Sequence, residues 1–250
     1  MEKEEQLLRR RLEELAGTSY QRDIPLYSDF LNLNEQTIFL SMMSSLPVAC
    51  RLEGGYDLAE RKIVCFLPVR EQDLAKPPIC VIKIAPTAPK FARPCTHRDY
   101  LGAILNLGID RGKTGDLLLD GNVCYCFCLP SVSGLILEQL VNVGHNPVTC
   151  RLADDIENIP GPSFEEITGS VASERLDAIL ALAYRLSRGK VGECVSSERV
   201  FVNGRCVTAN SHSLREGDVV SVRGLGKFIY KGSGSLSKKG RTFVTILKYQ

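Results

Sequence analysis

The stretch Ser173–Arg223 constrains this 250-residue chain more than any other. Leu176, Ile179, Leu180 and Ala183 recur at helical spacing and give a first short helix one buried face. Ser187 restarts the chain as an N-cap, and Val191, Cys194 and Val195 repeat the apolar spacing on a second helix. Val200-Phe201-Val202 is β-rich and runs into Asn203-Gly204, a tight-hairpin signal. Gly217-Asp218 marks another turn before the strand pattern of Val219–Val222. The polar residues in this frame are mostly cationic: Arg175, Arg185, Arg188, Lys190, Arg199, Arg205, Arg215 and Arg223. Ser187-Arg188 sits at a helix start, where free backbone amides and the helix dipole favour an anion. A phosphate there could meet Arg188, Lys190 and the amides together. This pattern points to a scaffold that grips a nucleic-acid backbone. Charge alone leaves a merely solvated basic surface open as the alternative.

The net charge of +2 hides an asymmetry. Residues 171–250 hold 14 Lys and Arg against 6 Asp and Glu, whereas residues 1–170 hold 17 against 23. Polyanion contact is therefore expected in the C-terminal portion. No run of about 18 apolar residues exists, so no membrane span is expected, and no signal-peptide core opens the chain. The protein is expected in the cytoplasm. The chain has 10 Cys but no C-x-x-C pair, and His97, His145 and His212 lie far apart. Reduced, buried thiols fit better than disulfides or zinc, and neither metal nor cofactor is expected.

Taken in order, residues 1–16 read as a helix that Gly17 can end. Asn34 caps a second helix through about Ser44, Asp57–Arg61 reads as one helical turn, and Lys62–Leu67 as a strand. Pro77-Pro78 is a natural boundary. Strand Ile79–Ala85, helix His97–Leu107 capped by Thr96, strands Asp116–Leu119 and Val123–Leu129, helix Ser133–Asn142 and strand Val148–Leu152 then follow. Their order is β-α-β-β-α-β, the ferredoxin-like split arrangement. Strand alternation turns Cys124, Cys126 and Cys128 into the core, together with Cys80, Ile82 and Ile84, and with Val148, Cys150 and Leu152. It places Tyr125 and Phe127 on the other face beside Lys83 and Arg151. Two placements of that face are open: an exposed surface on which bases stack, or a junction covered by the N-terminal domain. Asp154, Asp155, Glu157 and Pro160-Gly161-Pro162 mark a linker. Lys231–Lys239 reads as a Gly/Ser/Lys-rich mobile segment and Thr242–Leu247 as a last strand. Lys238, Lys239 and Arg241 add either phosphate contacts or only solubility.

The C-terminal motifs resemble a known family. R-L-D-x-x-L at Arg175–Leu180, S-R at Ser187–Arg188, V-x-V-N-G at Val200–Gly204 and G-D-x-x-x-V at Gly217–Val222 are similar to the S-four RNA-binding domain. Glu198 departs from the family's usual Gly, and Phe201 from its usual polar residue. The resemblance implies an αL-type module whose two short helices face structured RNA, with Arg175, Ser187, Arg188, Lys190 and Asn203 on or beside that surface. Arg199, Arg205, Arg223 and Lys227 complete the expected RNA-binding set. Further matches lie at Gly54-Gly55-Tyr56, Ala59–Lys62, Thr96–Ala103, Asn106–Arg111, Gly115-Asp116 and Val222–Phe228. With these the chain resembles the YlmH family over nearly its whole length. That likeness implies a ribosome-associated protein that binds rRNA and tRNA on large subunits obstructed by peptidyl-tRNA, with a link to cell division by genomic setting. It makes His97, Arg98, Arg111 and Lys113 secondary RNA contacts, beside Lys83, Tyr125, Phe127 and Arg151.

The expected fold is α+β: an N-terminal α/β domain over residues 1–75, a ferredoxin-like domain over 76–155, a linker over 156–172 and the S-four domain over 173–250. No nucleophile elbow, metal-ligand set or glycine-rich cofactor loop is present. A pseudouridine-synthase-like RNA-modifying enzyme is the rival reading, because such enzymes often carry an S-four domain. They need a catalytic Asp in a separate domain, and Asp177, in the one R-L-D here, belongs to the S-four helix. A protein-interaction scaffold in division is the third reading. A non-enzymatic, monomeric RNA binder is favoured.

Overall fold

The computed structural model describes residues 2–68, 75–153, 159, 161–236 and 240–250. Asp154, Asp155, Glu157, Pro160, Lys238 and Lys239 lie outside the described residues. The chain divides into two compact units, Met1–Gly161 and Pro162–Gln250.

The first unit opens with helix α1 (Glu2–Arg22). It does not end at Gly17, because its buried face continues. Leu12 and Ala16 are buried, and so is Ser19, whose hydroxyl donates to the carbonyls of Ile24 (2.8 Å) and Phe66 (3.2 Å). Strand β1 (Leu26–Tyr27) leads to helix α2 (Leu33–Met42). Asn32 rather than Asn34 caps α2. Its Oδ1 accepts the Glu35 N–H at 3.0 Å, and the Glu35 carboxylate accepts the Asn32 N–H at 2.7 Å, a reciprocal capping box. Strands β2 (Ala49–Glu53) and β3 (Ile63–Leu67) follow, and the sheet order is β1-β3-β2. Leu12, Ala16, Phe39, Val64 and Phe66 form one core between these helices and the sheet. The expected helical turn at Asp57–Arg61 is a non-helical turn instead. The amides of Glu60 and Arg61 donate to the Asp116 carboxylate, where helical amides would donate to carbonyls one turn earlier.

The same unit continues through β4 (Cys80–Pro86), α3 (His97–Leu105), β5 (Thr114–Asp120), β6 (Val123–Cys128), α4 (Pro130–Gln139), β7 (Asn142–Val143) and β8 (Asn146–Leu152). The sheet order is β5-β6-β4-β8-β7, and the β4 pairings with β6 and β8 are antiparallel. Without the short β7 this is the split β-α-β-β-α-β arrangement. Thr96 caps α3 in a capping box with Asp99. Ile82, Ile84, Cys124, Cys126 and Cys128 pack against Tyr100 and Ile104 of α3 and Ile136 of α4. Burial drives the thiol pKa of Cys124 upward, and that of Cys150 to about 11, so these side chains behave as small apolar groups. Leu152 departs from the expected inward set: it is exposed at the strand's end.

The second unit begins inside the stretch expected to be a linker. Strand β9 (Phe164–Val171) pairs along its full length with the last strand, β14 (Thr242–Tyr249). Residues 164–171 are thus sheet, and Ile167 and Val171 join its core. Helices α5 (Leu176–Tyr184) and α6 (Arg188–Ser196) precede β10 (Val200–Val202), β11 (Arg205–Cys206), β12 (Val219–Val222) and β13 (Gly226–Leu236). The sheet order is β11-β10-β12-β13-β14-β9. The expected mobile segment is therefore strand as far as Leu236, with register shifts between Tyr230 and Leu236. Leu176, Ile179, Leu180, Val191 and Val195 of the helices pack on Val200, Val202, Val220, Val222, Phe228, Val244 and Ile246.

Candidate nucleic-acid interface

The two helices of the second unit hold the densest set of expected site residues. Arg175 stands at the N-cap of α5, and its guanidinium pairs with both Asp177 oxygens at 3.0 and 3.2 Å. Asp177 also accepts the Ala178 N–H at 2.9 Å, so its carboxylate orients Arg175 and closes the helix start. Arg185 ends α5 in the left-handed conformation, with φ 52°. The Ser187 hydroxyl then accepts the Lys190 N–H at 3.4 Å and starts α6. Arg188 and Lys190 are exposed in its first turn, which carries no acid.

A cleft of about 490 Å³ opens beside this junction. Arg175, Arg188, Asn210 and Arg241 line it, with Ser170 of β9 and Ala178 of α5. Arg241 is held at the rim by donating to the Ser170 carbonyl (2.6 Å) and hydroxyl (3.2 Å). Three arginines from separate parts of the chain thus line one concave surface, together with Asp177, the carboxylate that pairs with Arg175, and the excess of cations suits phosphate oxygens. Asn210 carries no sequence signal. Arg241 reaches the cleft only through the β14–β9 pairing, which the linker expectation hid.

The remaining expected residues do not converge there. Arg199 donates through Nε (3.1 Å) and Nη2 to the Arg223 carbonyl and ties the exit of α6 to the end of β12. Asn203, at φ 47°, donates to Asp218 (2.8 Å) and accepts the Val219 N–H (2.9 Å). Its amide braces the hairpin. Phe201, Ser221 and Lys227 stand opposite one another across β10, β12 and β13, alternating with the buried valines and Phe228. They therefore occupy the sheet face away from the helices. On that face Arg223 lies over the Phe201 ring at 4.8 Å and Lys227 over Tyr249 at 4.4 Å. Arg205 is exposed on β11.

In the first unit, the second placement of the β4–β6 face is the one observed. Phe127 is fully buried in a cluster with Phe30, Ile63, Cys65, Val81 and Leu118, and the Tyr56 ring lies 5.1 Å from its own. A Cβ on Gly55 would come within 2.7 Å of the Phe127 ring, and one on Gly115 within 2.7 Å of Phe30. Asp116 latches the closure by accepting from Tyr56 Oη (2.8 Å), the Glu60 N–H (2.6 Å) and the Arg61 N–H (3.1 Å). The expectations for Arg111, Lys113 and Phe127 change accordingly. Arg111 donates to the carbonyls of Thr114 (2.6 Å) and Gly115 (3.0 Å), and burial lowers its pKa to about 10. Lys113 pairs with Asp29 at 2.6 Å. These residues build the junction. Lys83 sits opposite both Tyr125 and Arg151 in the sheet register, 5.6 Å from the Tyr125 ring. Arg151 is exposed there and Tyr125 half-buried. His97 and Arg98 are exposed at the start of α3.

Comparison with known proteins agrees with this layout. Residues 79–155 match a family model described as "Putative RNA-binding domain in YlmH", and residues 174–220 match the S4 domain. These matches and the fold place the chain among RNA-binding proteins of the S-four class. "Ribosome-associated protein quality control protein P2" of Bacillus subtilis is 31% identical over 223 residues, covering 87% of this chain and 85% of that protein. The chain belongs to the YlmH family. The solved structure "Cell division protein ylmH from Streptococcus pneumoniae" shares the fold, with a TM-score of 0.51 at 19% identity, covering 63% of this chain and 95% of that one. Among the described residues, no helix is long and apolar enough to cross a membrane, and no cluster of His, Cys, Asp or Glu could hold a metal ion.

Proposed function

We propose that this chain is a non-enzymatic RNA-binding protein that docks on the large ribosomal subunit, contacts rRNA and tRNA, and helps rescue subunits obstructed by peptidyl-tRNA. The convergence of Arg175, Arg188 and Arg241 on one cleft is the observation that carries the RNA contact. The name of the Bacillus subtilis relative supports the ribosomal setting. The protein acts as a monomer in the cytoplasm, and its role is positional: it holds RNA in place and breaks no bond. Asp177, the one acid in an R-L-D motif, is engaged by Arg175 and a backbone amide, which disfavours the modifying-enzyme reading. The working organisation is an N-terminal domain to about residue 75, an RNA-binding domain to about 155 and an S-four domain that takes in β9.

The test is binding to isolated large subunits, with and without peptidyl-tRNA, across a salt series. Each phosphate contact contributes about 0.9 to the slope of log K against log salt. Arg188→Glu is expected to weaken binding about tenfold or more and to flatten that slope by about one contact. Preference for the peptidyl-tRNA-bearing particle, lost in the variant, supports rescue. An unchanged slope removes the cleft from the interface.

A further inference from the structure

We infer that the first unit binds unpaired RNA through the loop 88–96, with Phe91 as a base-stacking platform. This rests on the RNA-binding reading above and names a second surface for it. On the sheet face that ferredoxin-like modules use to stack bases, Phe127 is fully buried beneath Tyr56, and Tyr125 is half-buried with Lys83 at 5.6 Å from its ring. A freely exposed ring is therefore found elsewhere on the domain. Among the described residues Phe91 is the most exposed large apolar side chain, at 87%. Its flanking sequence is cationic: the loop 88–96 holds Lys90 and Arg93 and no acid, and Arg98 follows beside Asp99 in the first turn of α3. All three cations are exposed.

The loop is held firmly enough to present the ring. Asn146, 5% exposed, accepts the Arg93 N–H at 3.0 Å and donates to the Arg93 carbonyl at 2.8 Å. The Thr87 N–H donates to the Pro147 carbonyl at 3.0 Å, and the Cys95 N–H to Asn122 Oδ1 at 3.2 Å. Pro89–Phe91 forms a 3-10 turn closed by the Phe91 and Ala92 amides. An aromatic ring on a braced backbone, flanked by cations, fits an unpaired base with its neighbouring phosphates. Charge complementarity selects RNA over an apolar protein surface, which would leave Lys90 and Arg93 desolvated without partners.

The chain contains no Trp, so Phe91→Trp in the full-length protein creates a single reporter. Its fluorescence should be quenched, with saturation, by a mixed-sequence single-stranded oligoribonucleotide, and not by inorganic polyphosphate or a blunt RNA duplex. Adding Lys90→Glu with Arg93→Glu should move the quenching curve about tenfold to higher RNA concentration. Phe91→Ala should weaken binding of the same oligonucleotide about tenfold, since base–aromatic stacking gives that order of effect. Total binding followed by anisotropy of labelled RNA, with and without Arg188→Glu, reports the S-four cleft separately. Bound RNA with an unquenched indole overturns the proposal while leaving the cleft intact. Quenching by polyphosphate alone overturns stacking.

Discussion

Glu198 turns the chain left-handed, at φ 55°, with no glycine to ease it. The turn ends α6: the Glu198 N–H bonds the Val195 carbonyl (3.1 Å) and the Arg199 N–H that of Cys194 (3.1 Å). A side chain in this conformation costs about 1–2 kcal/mol, part of which glycine would return as extra freedom of the unfolded chain. Glu198→Gly is therefore expected to stabilise the second unit by roughly 0.5–1 kcal/mol, measured as a higher denaturation midpoint. A lower midpoint would show that the carboxylate makes a contact worth more than the strain. The neighbouring position Arg199 carries a different lesson. It is a cation in an expected RNA-binding set, yet its guanidinium closes on the Arg223 carbonyl within the same unit. Residue type alone does not separate a cation that greets a phosphate from one that caps a carbonyl.

At the scale of elements, β9 decides the shape of the second unit. It pairs with β14 from Phe164–Tyr249 to Val171–Thr242 and covers an edge that would otherwise lie open. A fragment of residues 162–250 should unfold cooperatively, whereas one of residues 173–250 should melt earlier and aggregate. Circular dichroism melts with light scattering distinguish the two, and equal midpoints would make β9 dispensable. The strand was hidden in the sequence because Phe164-Glu165-Glu166-Ile167-Thr168 follows Pro160-Gly161-Pro162 and carries an acid on each face, Glu165 on that of Ile167 and Glu166 on the other, which blurs the alternation. Its partner lies more than seventy residues away. Locally determined features were legible. Thr96 and Ser187 are recognisable as caps, the order of strands and helices gives the split β-α-β-β-α-β arrangement, and alternation puts the C-x-C-x-C row inside. The α2 cap was misplaced because Asn32 and Asn34 compete within three residues, and only Asn32 puts Glu35 at the reciprocating position. Of the candidate site, Arg188 is readable from a helix start and Arg175 from the R-L-D motif, but the placing of Arg241, open between phosphate contact and solubility, needs a long-range strand pairing that no local pattern encodes.

For the whole molecule, separate cores imply separate stabilities. The core around Ile179, Val220 and Phe228 belongs to the second unit, and those around Phe127, Tyr100 and Phe39 to the first. Within the first unit, Asp116 joins two parts of the chain by receiving three hydrogen bonds from residues 56–61. Half-buried Arg61 and Arg111 stand close by, and the Asp116 charge favours their charged forms against burial. Asp116→Ala removes the acceptor from two amides and a hydroxyl and leaves both guanidinium groups less compensated. The expected loss is about 3 kcal/mol, a fall of roughly 6–12 °C in the midpoint of a unit of this size. Calorimetry should resolve two transitions, of which Asp116→Ala lowers one and Glu198→Gly raises the other. Binding at the Arg175–Arg188–Arg241 cleft should survive Asp116→Ala below the lowered midpoint, because the cleft draws on the second unit alone. A single transition shifted by both substitutions would show instead that the units unfold together, and that the latch at Asp116 stabilises the RNA-binding cleft as well.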